Sequence, residues 1–346
     1  MNSFGRFFRV EIFGESHGPA IGVVIDGCPP GIAIGLSDFD EDLARRRSGA
    51  VGTTPRRESD LPEILSGIYD GFSTGSPITI LFRNQDTRSQ DYASFQRIPR
   101  PGHADFTSFI KYRGFADPRG SGHFSGRVTA GLVAAGTIAK KILRPAQFST
   151  RILEAGGSVD IEKAVSEAAE AGDSVGALVE IRVAGLEPGL GEPFFDACES
   201  LVAHAVFAVP GVRALEFGDG RKVAAMRGSE HNDPFVDERG RTSKNGSGGV
   251  NGGITNGNEL VMRVSVKPTS SISIPQTTFD FERKSMAELR IEGRHDACIA
   301  LRSAVVLESA AALALADMAL ADMTSSSGKL PRDYESNAPQ ARGRKP

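Results

Sequence analysis

Hydrophobic residues follow two periods along the chain, and each period predicts a different kind of element. Alternation of apolar and polar positions, in β-branched runs bounded by Gly and Pro, predicts strands. Apolar positions that recur every three to four residues predict helices. The predicted strands lie near residues 8–13, 19–26, 63–70, 77–82, 176–184, 211–218 and 259–267. The predicted helices span residues 38–47, 105–112, 126–143, 159–171, 196–208 and 296–322.

Two of the predicted helices are apolar on almost every side. Helices 126–143 and 296–322 are rich in Ala and Gly, which is typical of buried helices that pack closely through small residues. The run 304–321 contains Glu308 and Asp317, so we interpret it as a buried helix and not as a membrane span. Most predicted strands follow one another without a crossover helix, which favours antiparallel sheets. The pattern therefore predicts the α+β class, with a buried helical layer between antiparallel sheets.

The sequence also indicates where the first helix begins and where the folded domain ends. Ser37, with Asp40 three residues later, predicts a capping box at the start of the first helix. No linker divides the chain, so residues 1–323 are expected to form a single domain. Residues 324–346 have little to bury, which predicts a disordered C-terminal tail.

Composition excludes several classes of partner. The chain has 346 residues, of which 40% are hydrophobic and 24% charged, and its formal net charge is −3. A soluble protein of this charge has no global attraction to nucleic acid or to membranes. Cys28, Cys198 and Cys298 lie far apart, which argues against a zinc site or disulfide framework and favours a reducing cytoplasm. The histidines lack metal-ligand spacing and no signal peptide is apparent, so we expect a cytoplasmic protein without a metal.

The segment Gly14–Gly18 reads GESHG and fits G-x-S-x-G, the nucleophile elbow of serine hydrolases. An elbow needs a helix directly after its serine. Here the β-branched run 19–26 follows and predicts a second strand, so Ser16 and His17 are expected at the tip of a loop between two strands. The serine hydrolase is therefore only a minor alternative.

Basic residues concentrate in two zones. Residues 45–57 contain five arginines and no acidic residue, and residues 83–127 contain eight basic residues against four acidic ones. In a chain that is acidic overall, this concentration predicts the binding of a small, multiply charged anion. The alternative is a solvated helix face, or cations that stabilise a helix C-terminus.

Four histidines lie in polar, glycine-containing loop sequence, where they are free to titrate near neutral pH as an acid or a base. They are His17, His103, His123 and His295. His204 lies in an apolar helix and is expected to be structural.

Two glycine-rich segments are candidates for close approach to a ligand. Gly120–Gly126 stands directly before the helix 126–143, where backbone N–H groups and the helix N-terminus can hold a phosphate. The segment 240–257 is either a flexible loop or a backbone that approaches a ligand where any Cβ would collide.

Several long stretches are distinctive: FGRFFRVEIFGESHG, DLARRRSG, EILSGIYDGFSTGSPITILFRNQDTRSQDY, RPGHADFTSFIKYRGFADPRG, GLGEPFFD, GGVNGGITNG, KPTSSI and EGRHDACIALRSAVVLESA. Taken in order, these stretches resemble the chorismate synthase family, and the resemblance extends to about Asp322. It implies a carbon–oxygen lyase of the shikimate pathway and aromatic amino acid biosynthesis, which converts 5-enolpyruvylshikimate 3-phosphate to chorismate by 1,4-elimination of phosphate. It also implies reduced FMN as cofactor without net redox change, a β-α-β sandwich fold and a homotetramer. The chain does not show how its FMN is reduced: either the cell supplies reduced flavin or the protein has a reducing activity that its motifs do not reveal, with NADPH as the electron source that the resemblance implies.

The resemblance implies roles for individual residues. His17 and His103 match the general acids, with His17 serving the departing phosphate or substrate and His103 the flavin. Asp296 matches the base near flavin N5. The substrate-binding positions are matched by Ser16, Arg46 and Arg127. The cofactor-binding positions are matched by Ser125, Pro210, Gly211, Gly252, Lys267, Pro268, Thr269, Ser270, Ser271 and Arg294.

The chain departs from the family pattern at two places. His123, Phe124 and Val128 stand where the family has an arginine, a serine and a glutamate. The segment 48–52 lacks a further arginine and is one residue short. Histidine replaces a bidentate phosphate contact only partly, so the alternative function is a non-catalytic flavin- or phosphoanion-binding relative on the same fold.

Overall fold

Helices and antiparallel strands form the framework of the computed structural model, which describes residues 1–49, 51–54, 56, 58–87, 94–291 and 295–325. The strands are β1 (Ser3–Phe4), β2 (Arg9–Gly14), β3 (Ala20–Asp26), β4 (Glu63–Ser66), β5 (Ile68–Tyr69), β6 (Phe72–Ser73), β7 (Ile78–Arg83), β8 (Gln147–Ala155), β9 (Ala177–Ala184), β10 (Val212–Phe217), β11 (Val250–Asn251), β12 (Ile254–Thr255), β13 (Leu260–Val266), β14 (Gln276–Asp280) and β15 (Ser285–Leu289). The helices are α1 (Asp40–Arg46), α2 (Asp105–Lys111), α3 (Thr129–Ile142), α4 (Ile161–Glu170), α5 (Cys198–Val206), α6 (Gly228–His231) and α7 (Ala300–Ser325).

Two antiparallel sheets contain most of the longer strands. The first has the order β1-β2-β3-β7-β4, and the second has the order β10-β13-β9-β8. In the first sheet Val23 pairs with Ile80 and Ile25 pairs with Ile78, and all four side chains are fully buried. Because successive side chains of a strand point to opposite faces, the period-two pattern gives this sheet one apolar face.

Helices α3 and α7 pack against each other through small residues. Gly136 of α3 faces Ser309 of α7 so closely that a Cβ at position 136 would overlap the serine side chain. Helix α3 also packs on β3 of the first sheet, whereas α7 packs on β8 and β9 of the second. Residues 305–318 of α7 are all buried. Both helices that the sequence predicts as buried on several sides are therefore confirmed.

Among the described residues, one helical stretch is long and apolar enough to cross a membrane. It spans Ala300–Thr324, within α7, and 83% of its most apolar 18-residue stretch is buried inside the protein. That burial accords with the interpretation of this segment as a core helix.

The fold belongs to the α+β class, as the sequence predicts. Each predicted strand and helix has a counterpart in the structure, with ends that differ by a few residues. The prediction missed β8, most of whose side chains are exposed or half-buried. It also missed the hairpin of β14 and β15, where Leu289 packs with Phe95 and Ile98 in a small separate cluster.

The predicted capping box at Ser37 is wrong. A 3₁₀ turn over Leu36–Phe39 precedes α1, and Gly35, not Ser37, occupies its N-cap position. The backbone N–H of Gly35 donates to the carboxylate of Asp38 at 2.7 Å. Helix α7 ends at Ser325, and the rest of the predicted tail, residues 326–346, lies outside the described residues.

Candidate active site

A large cavity of about 1130 Å³ opens between the end of α1, the segment before α3, the loop after β13 and the start of α7. Its described lining carries eight cationic side chains against three carboxylates. Such an excess favours an anionic ligand, because charge interactions strengthen where solvent is excluded. The cations are Arg46, Arg47, Arg56, Arg100, Arg127, Arg213, Lys267 and Arg302, and the carboxylates are Glu58, Asp60 and Asp296.

Arg46 and Arg127 share one buried carboxylate. Arg46 donates to Asp60 Oδ2 at 2.8 Å, and Arg127 donates to the other oxygen. Arg46 also donates to the backbone carbonyls of Gly126 and Arg127, which ties the end of α1 to the segment that leads into α3. Burial lowers the pKa of Arg46 to about 9, although Asp60 opposes that shift. Two cations on one carboxylate leave net positive charge at the cavity wall.

The loop between β2 and β3 places Ser16 and His17 beside Arg56. Ser16 Oγ accepts from Arg56 Nη1 at 2.8 Å, and the Ser16 carbonyl accepts from Nη2 at 3.2 Å. Gly120 has φ 58° and passes so close to the His17 imidazole that a Cβ there would overlap Nδ1. Burial and then the Arg56 charge lower the pKa of His17. Arg56 and Gly120 line the cavity, and Ser16 and His17 lie directly behind them.

His103 belongs to a polar cluster with Arg100, Asp105 and Ser121. Its Nδ1 lies 2.7 Å from Asp105 Oδ1, and its Nε2 lies 3.4 Å from Ser121 Oγ. Arg100 donates to Asp105 from three nitrogens and to Ser271 Oγ at 3.0 Å. Burial lowers the pKa of His103, and Asp105 opposes that shift. His103, Arg100 and Ser121 all line the cavity.

Asp296, just before α7, is held by two donors. Its Oδ1 accepts the backbone N–H of Thr54 at 2.9 Å, and Arg302 Nη1 donates to both carboxylate oxygens. Arg302 also donates from Nε to the carbonyl of Arg46 at 3.0 Å. Arg302 therefore connects the predicted base to the predicted substrate-binding arginine.

The loop after β13 forms another wall of the cavity. Lys267 and Ser270 both donate to the carbonyl of Gly102, Ser270 at 2.8 Å. Thr269 Oγ1 is buried and has no hydrogen-bond partner among the described residues. The predicted cofactor-binding residues that line the cavity are Ser125, Pro210, Gly211, Lys267, Pro268, Thr269, Ser270 and Ser271.

One predicted cofactor-binding residue lies away from this cavity, and another lies outside the described residues. Gly252 lies between β11 and β12 and lines a second cavity of about 570 Å³, together with Glu199 and Phe217. Arg294 lies outside the described residues. His204, expected to be structural, packs edge-on against a phenylalanine ring of β1 and also lines the large cavity.

Comparison with known proteins identifies the family. A family model described as chorismate synthase matches residues 8–320. A chorismate synthase of Chitinophaga pinensis is 55% identical over 326 residues, which cover 94% of this chain and 98% of that protein. The chain belongs to the chorismate synthase family.

Further relatives of the chorismate synthase family agree with this assignment. A chorismate synthase of Dehalococcoides mccartyi is 42% identical over 351 residues, covering 92% of this chain and 96% of that protein. A crystal structure of chorismate synthase, 23% identical, has a TM-score of 0.72 and covers 96% of this chain and 97% of that chain, which shows a shared fold. The resemblance found in the sequence is confirmed. The protein is a carbon–oxygen lyase of the shikimate pathway, and its family acts on a small anionic substrate.

The positions that depart from the chorismate synthase pattern have distinct environments. His123 Nδ1 lies 2.8 Å from the last backbone carbonyl of β2, which ties its segment to the first sheet. Phe124 packs edge-on against Tyr112, with ring centroids 6.1 Å apart, and Val128 is buried. Near the shortened segment 48–52, Arg56 brings a guanidinium to the cavity wall.

Sequence reasoning assigned no individual role to several residues that organise the site. Arg56 and Arg100 are basic residues of the two predicted basic zones, and the Asp105 carboxylate stands two residues after His103, a spacing that lets it reach the imidazole. Arg302 carried no such signal, because its partners are brought to it by the start of α7. These residues are Arg56, Asp60, Arg100, Asp105 and Arg302.

Proposed function

We propose that the protein converts 5-enolpyruvylshikimate 3-phosphate to chorismate by 1,4-elimination of phosphate, with reduced FMN as cofactor. The observation that carries this proposal is a single cavity lined by an excess of cations together with His103 and Asp296. An elimination that releases phosphate needs positive charge at the leaving oxygens and groups that move protons. The cavity wall holds both kinds of group.

The cavity fits a flavin mononucleotide together with a small substrate. Its volume of about 1130 Å³ exceeds the roughly 300–1,000 Å³ of sites for one small molecule. Leu132, Ile299 and Val306 contribute apolar wall for a ring system, and Lys267 and Thr269 would hold polar atoms of the cofactor. When bound, reduced flavin supplies reducing power that the reaction returns, so that no net redox change results.

Arg46 and Arg127 are proposed to bind the anionic groups of the substrate. Both guanidiniums are buried, and their shared contact with Asp60 fixes their orientation before a ligand arrives. Preorganised cations stabilise the charge that develops on a departing phosphate without reorganising during the reaction. Arg56 extends this cationic surface to Ser16 in the GESHG loop.

His17 and His103 are proposed as the general acids. Burial lowers the pKa of both side chains, which favours neutral imidazoles at pH 7 before an anion binds. A bound phosphate dianion would favour the imidazolium form, because opposite charge stabilises the charged state. Each histidine would then become an acid when the substrate is in place.

Asp296 is proposed to accept a proton. Its carboxylate is oriented from two sides, by the Thr54 amide and by Arg302, and it lines the cavity. A carboxylate held in this way presents its remaining lone pairs in a defined direction, as a general base requires.

Several wider features of the family are proposed for this chain. The packing of α3 and α7 on different sheets supports a β-α-β sandwich with residues 1–323 as one domain. The exposed side chains of Phe194 and Phe195 are candidates for subunit contacts in a homotetramer. Free, buried cysteines accord with a cytoplasmic location, where NADPH is the proposed source of electrons for flavin reduction.

An anaerobic assay tests the lyase proposal. Protein, chemically reduced FMN and 5-enolpyruvylshikimate 3-phosphate are mixed, and chorismate absorbance and released phosphate are followed together. We expect equal amounts of both products and many turnovers per flavin. Flavin binding without either product would overturn the proposal in favour of a non-catalytic relative. Fluorophosphonate labelling of Ser16 would favour a serine hydrolase.

A further inference from the structure

Asp105 is clamped by Arg100 and in turn contacts the imidazole of His103. The backbone N–H, Nε and Nη2 of Arg100 donate to the Asp105 carboxylate at 3.0, 2.8 and 2.7 Å. Both side chains are largely buried, with 3% of Arg100 and 12% of Asp105 exposed. Burial alone would raise the pKa of Asp105, but the hydrogen bonds from Arg100 and His103 hold it well below its usual range. The carboxylate is therefore ionised and has one orientation.

The hydrogen-bond partners of the neutral His103 ring indicate which of its two nitrogens carries the proton. Arg100 Nη2 carries two N–H groups, of which one donates to Asp105 Oδ1 at 2.7 Å and the other to Ser121 Oγ at 2.9 Å. His103 Nδ1, 3.1 Å from the same nitrogen, therefore receives no hydrogen from it. Nδ1 is also 2.7 Å from Asp105 Oδ1, a distance at which two acceptors repel and an N–H···O⁻ bond is favourable. These contacts favour a proton on Nδ1 of the neutral ring.

Ser121 can act both as an acceptor for Arg100 and as a donor to His103. Its Oγ accepts from Arg100, so its own O–H can donate to His103 Nε2, 3.4 Å away. Ser121 has φ 67°, a left-handed conformation that is unfavourable for a non-glycine residue. Such strain persists where surrounding contacts hold the residue in place. Asp105, His103 and Ser121 form one chain in which each donor has an acceptor.

We propose that Asp105 is a positioning residue that fixes the Nδ1–H tautomer of His103 and directs Nε2 toward Ser121 and the cavity, with Arg100 as its clamp. The kinetic consequence rests on the proposed function, whereas the tautomer does not. In the acid step the Nε2–H bond of the imidazolium breaks and its proton passes to the acceptor in the cavity. The electron pair stays on Nε2, which leaves the neutral Nδ1–H form.

The charges around the ring give this arrangement a pH signature. Burial, Arg100 and Lys267 lower the pKa of His103, whereas Asp105 raises it. Loss of the Asp105 charge therefore lowers the pKa of His103 further. An activity that needs the imidazolium would then be lost at lower pH than in the unaltered protein.

Nitrogen-15 NMR of histidine-labelled protein reads the tautomer without any turnover, with His103 assigned through His103→Gln. We expect a protonated Nδ1 and a bare Nε2 in the neutral ring. Asp105→Asn should weaken that preference and lower the His103 pKa, while Asp105→Glu should restore it. An Nε2–H tautomer in the unaltered protein overturns the proposal, even if Asp105→Asn does not fold.

Steady-state kinetics tests the consequence for turnover. Asp105→Asn should lower kcat about tenfold or more and change KM by less than about threefold, with the alkaline limb of the pH profile moved to lower pH. Asp237→Asn is the matched control, because Asp237 pairs with Arg241 away from the cavity, and it should leave both constants unchanged. Unaltered kcat and pH profile in folded Asp105→Asn would overturn the positioning role. Absence of turnover in the unaltered protein would count against the lyase alone and leave the NMR result as the test.

Discussion

Arg302 donates from Nη1 to both carboxylate oxygens of Asp296, at 3.3 and 3.1 Å, and from Nε to the carbonyl of Arg46 at 3.0 Å. We expect Arg302→Gln to lower kcat about tenfold or more, because the proposed base loses one of its two donors. In an Asp296→Asn background the same change should add less than about threefold, since residues that act as a unit are not additive. Steady-state kinetics of the four proteins measures this coupling.

The matched controls for Arg302 separate orientation from folding. Arg302→Lys keeps a charge and a donor and should recover part of kcat. Arg241→Gln removes an exposed arginine from its own carboxylate pair and should change nothing. Equal losses from Arg302→Gln in both backgrounds would mean that Arg302 does not act through Asp296.

Arg56 is expected to set the protonation of His17. Burial and then the Arg56 charge lower the pKa of His17, and Glu58, the ion-pair partner of Arg56, raises it. Arg56→Gln removes the cation and leaves the charge of Glu58 in place, so the His17 pKa should rise. The imidazolium would then persist to higher pH, as NMR titration of the His17 ring can measure. Arg56→Lys keeps the charge and should keep the pKa low, and an unchanged titration in Arg56→Gln would contradict this account.

Gly120 is expected to be required for the position of the His17 ring. It has φ 58°, and a Cβ there would overlap His17 Nδ1 and lie 2.9 Å from Ser16 Oγ. Gly120→Ala should therefore displace the imidazole and lower kcat by about one to two powers of ten, as loss of a proton-transfer group does in part. Gly157 also has positive φ, 79°, but open space at its Cβ, so Gly157→Ala should cost only about 1–2 kcal/mol of stability. Activity measurements on both folded variants test whether Gly120 is required. A normal kcat in Gly120→Ala would contradict the requirement.

The sequence predicted the elements that have strong periodicity and missed those that depend on tertiary contacts. The runs that became β3 and α7 are strongly apolar, so burial is evident from their composition alone. Strand β8 reads QFSTRILEA, and its polar residues leave only a weak alternation. Its position is decided by pairing with β9, which no local pattern contains.

The site likewise combines residues that the sequence predicted with contacts that only the fold creates. The basic zones located the arginines, but Arg46 and Arg127 meet at Asp60 only because the fold brings three separate segments together. The predicted helix start at 126 falls instead at 129, because a 3₁₀ turn over Gly126–Val128 leads into α3. Before that turn, residues Gly120–Gly122 have positive φ angles. Those conformations place Ser121 beside His103, a contact that spacing along the chain does not encode.

A buried ion cluster between the helices should make stability depend on acidic pH. Glu308 of α7 accepts from Arg45 at 2.9 and 2.7 Å and from Lys140, and it is 1% exposed. Burial alone would raise the pKa of Glu308, but these partners lower it to about 2, from an ordinary value of 4.5. A carboxylate whose pKa is lower in the folded protein than in the unfolded chain stabilises the fold at pH values above the unfolded-state pKa. For Glu308 that contribution is lost as pH falls from about 4.5 toward 2.

Glu308→Gln should remove this contribution and leave Arg45 and Lys140 without their buried carboxylate. We expect the free energy of unfolding at pH 7 to fall by about 3 kcal/mol, the order given both by the pKa difference and by the breaking of a buried pair. The loss should shrink as pH falls below about 4.5, because Glu308 then binds a proton in the unfolded chain, which reduces the contribution of its charge to stability. Urea unfolding at pH 7 and pH 3 measures both quantities. Glu63→Gln is the control, since the exposed pair of Glu63 and Arg83 should contribute less than about 1 kcal/mol. An equal loss at both pH values would show that Glu308 stabilises the fold by packing and not by charge.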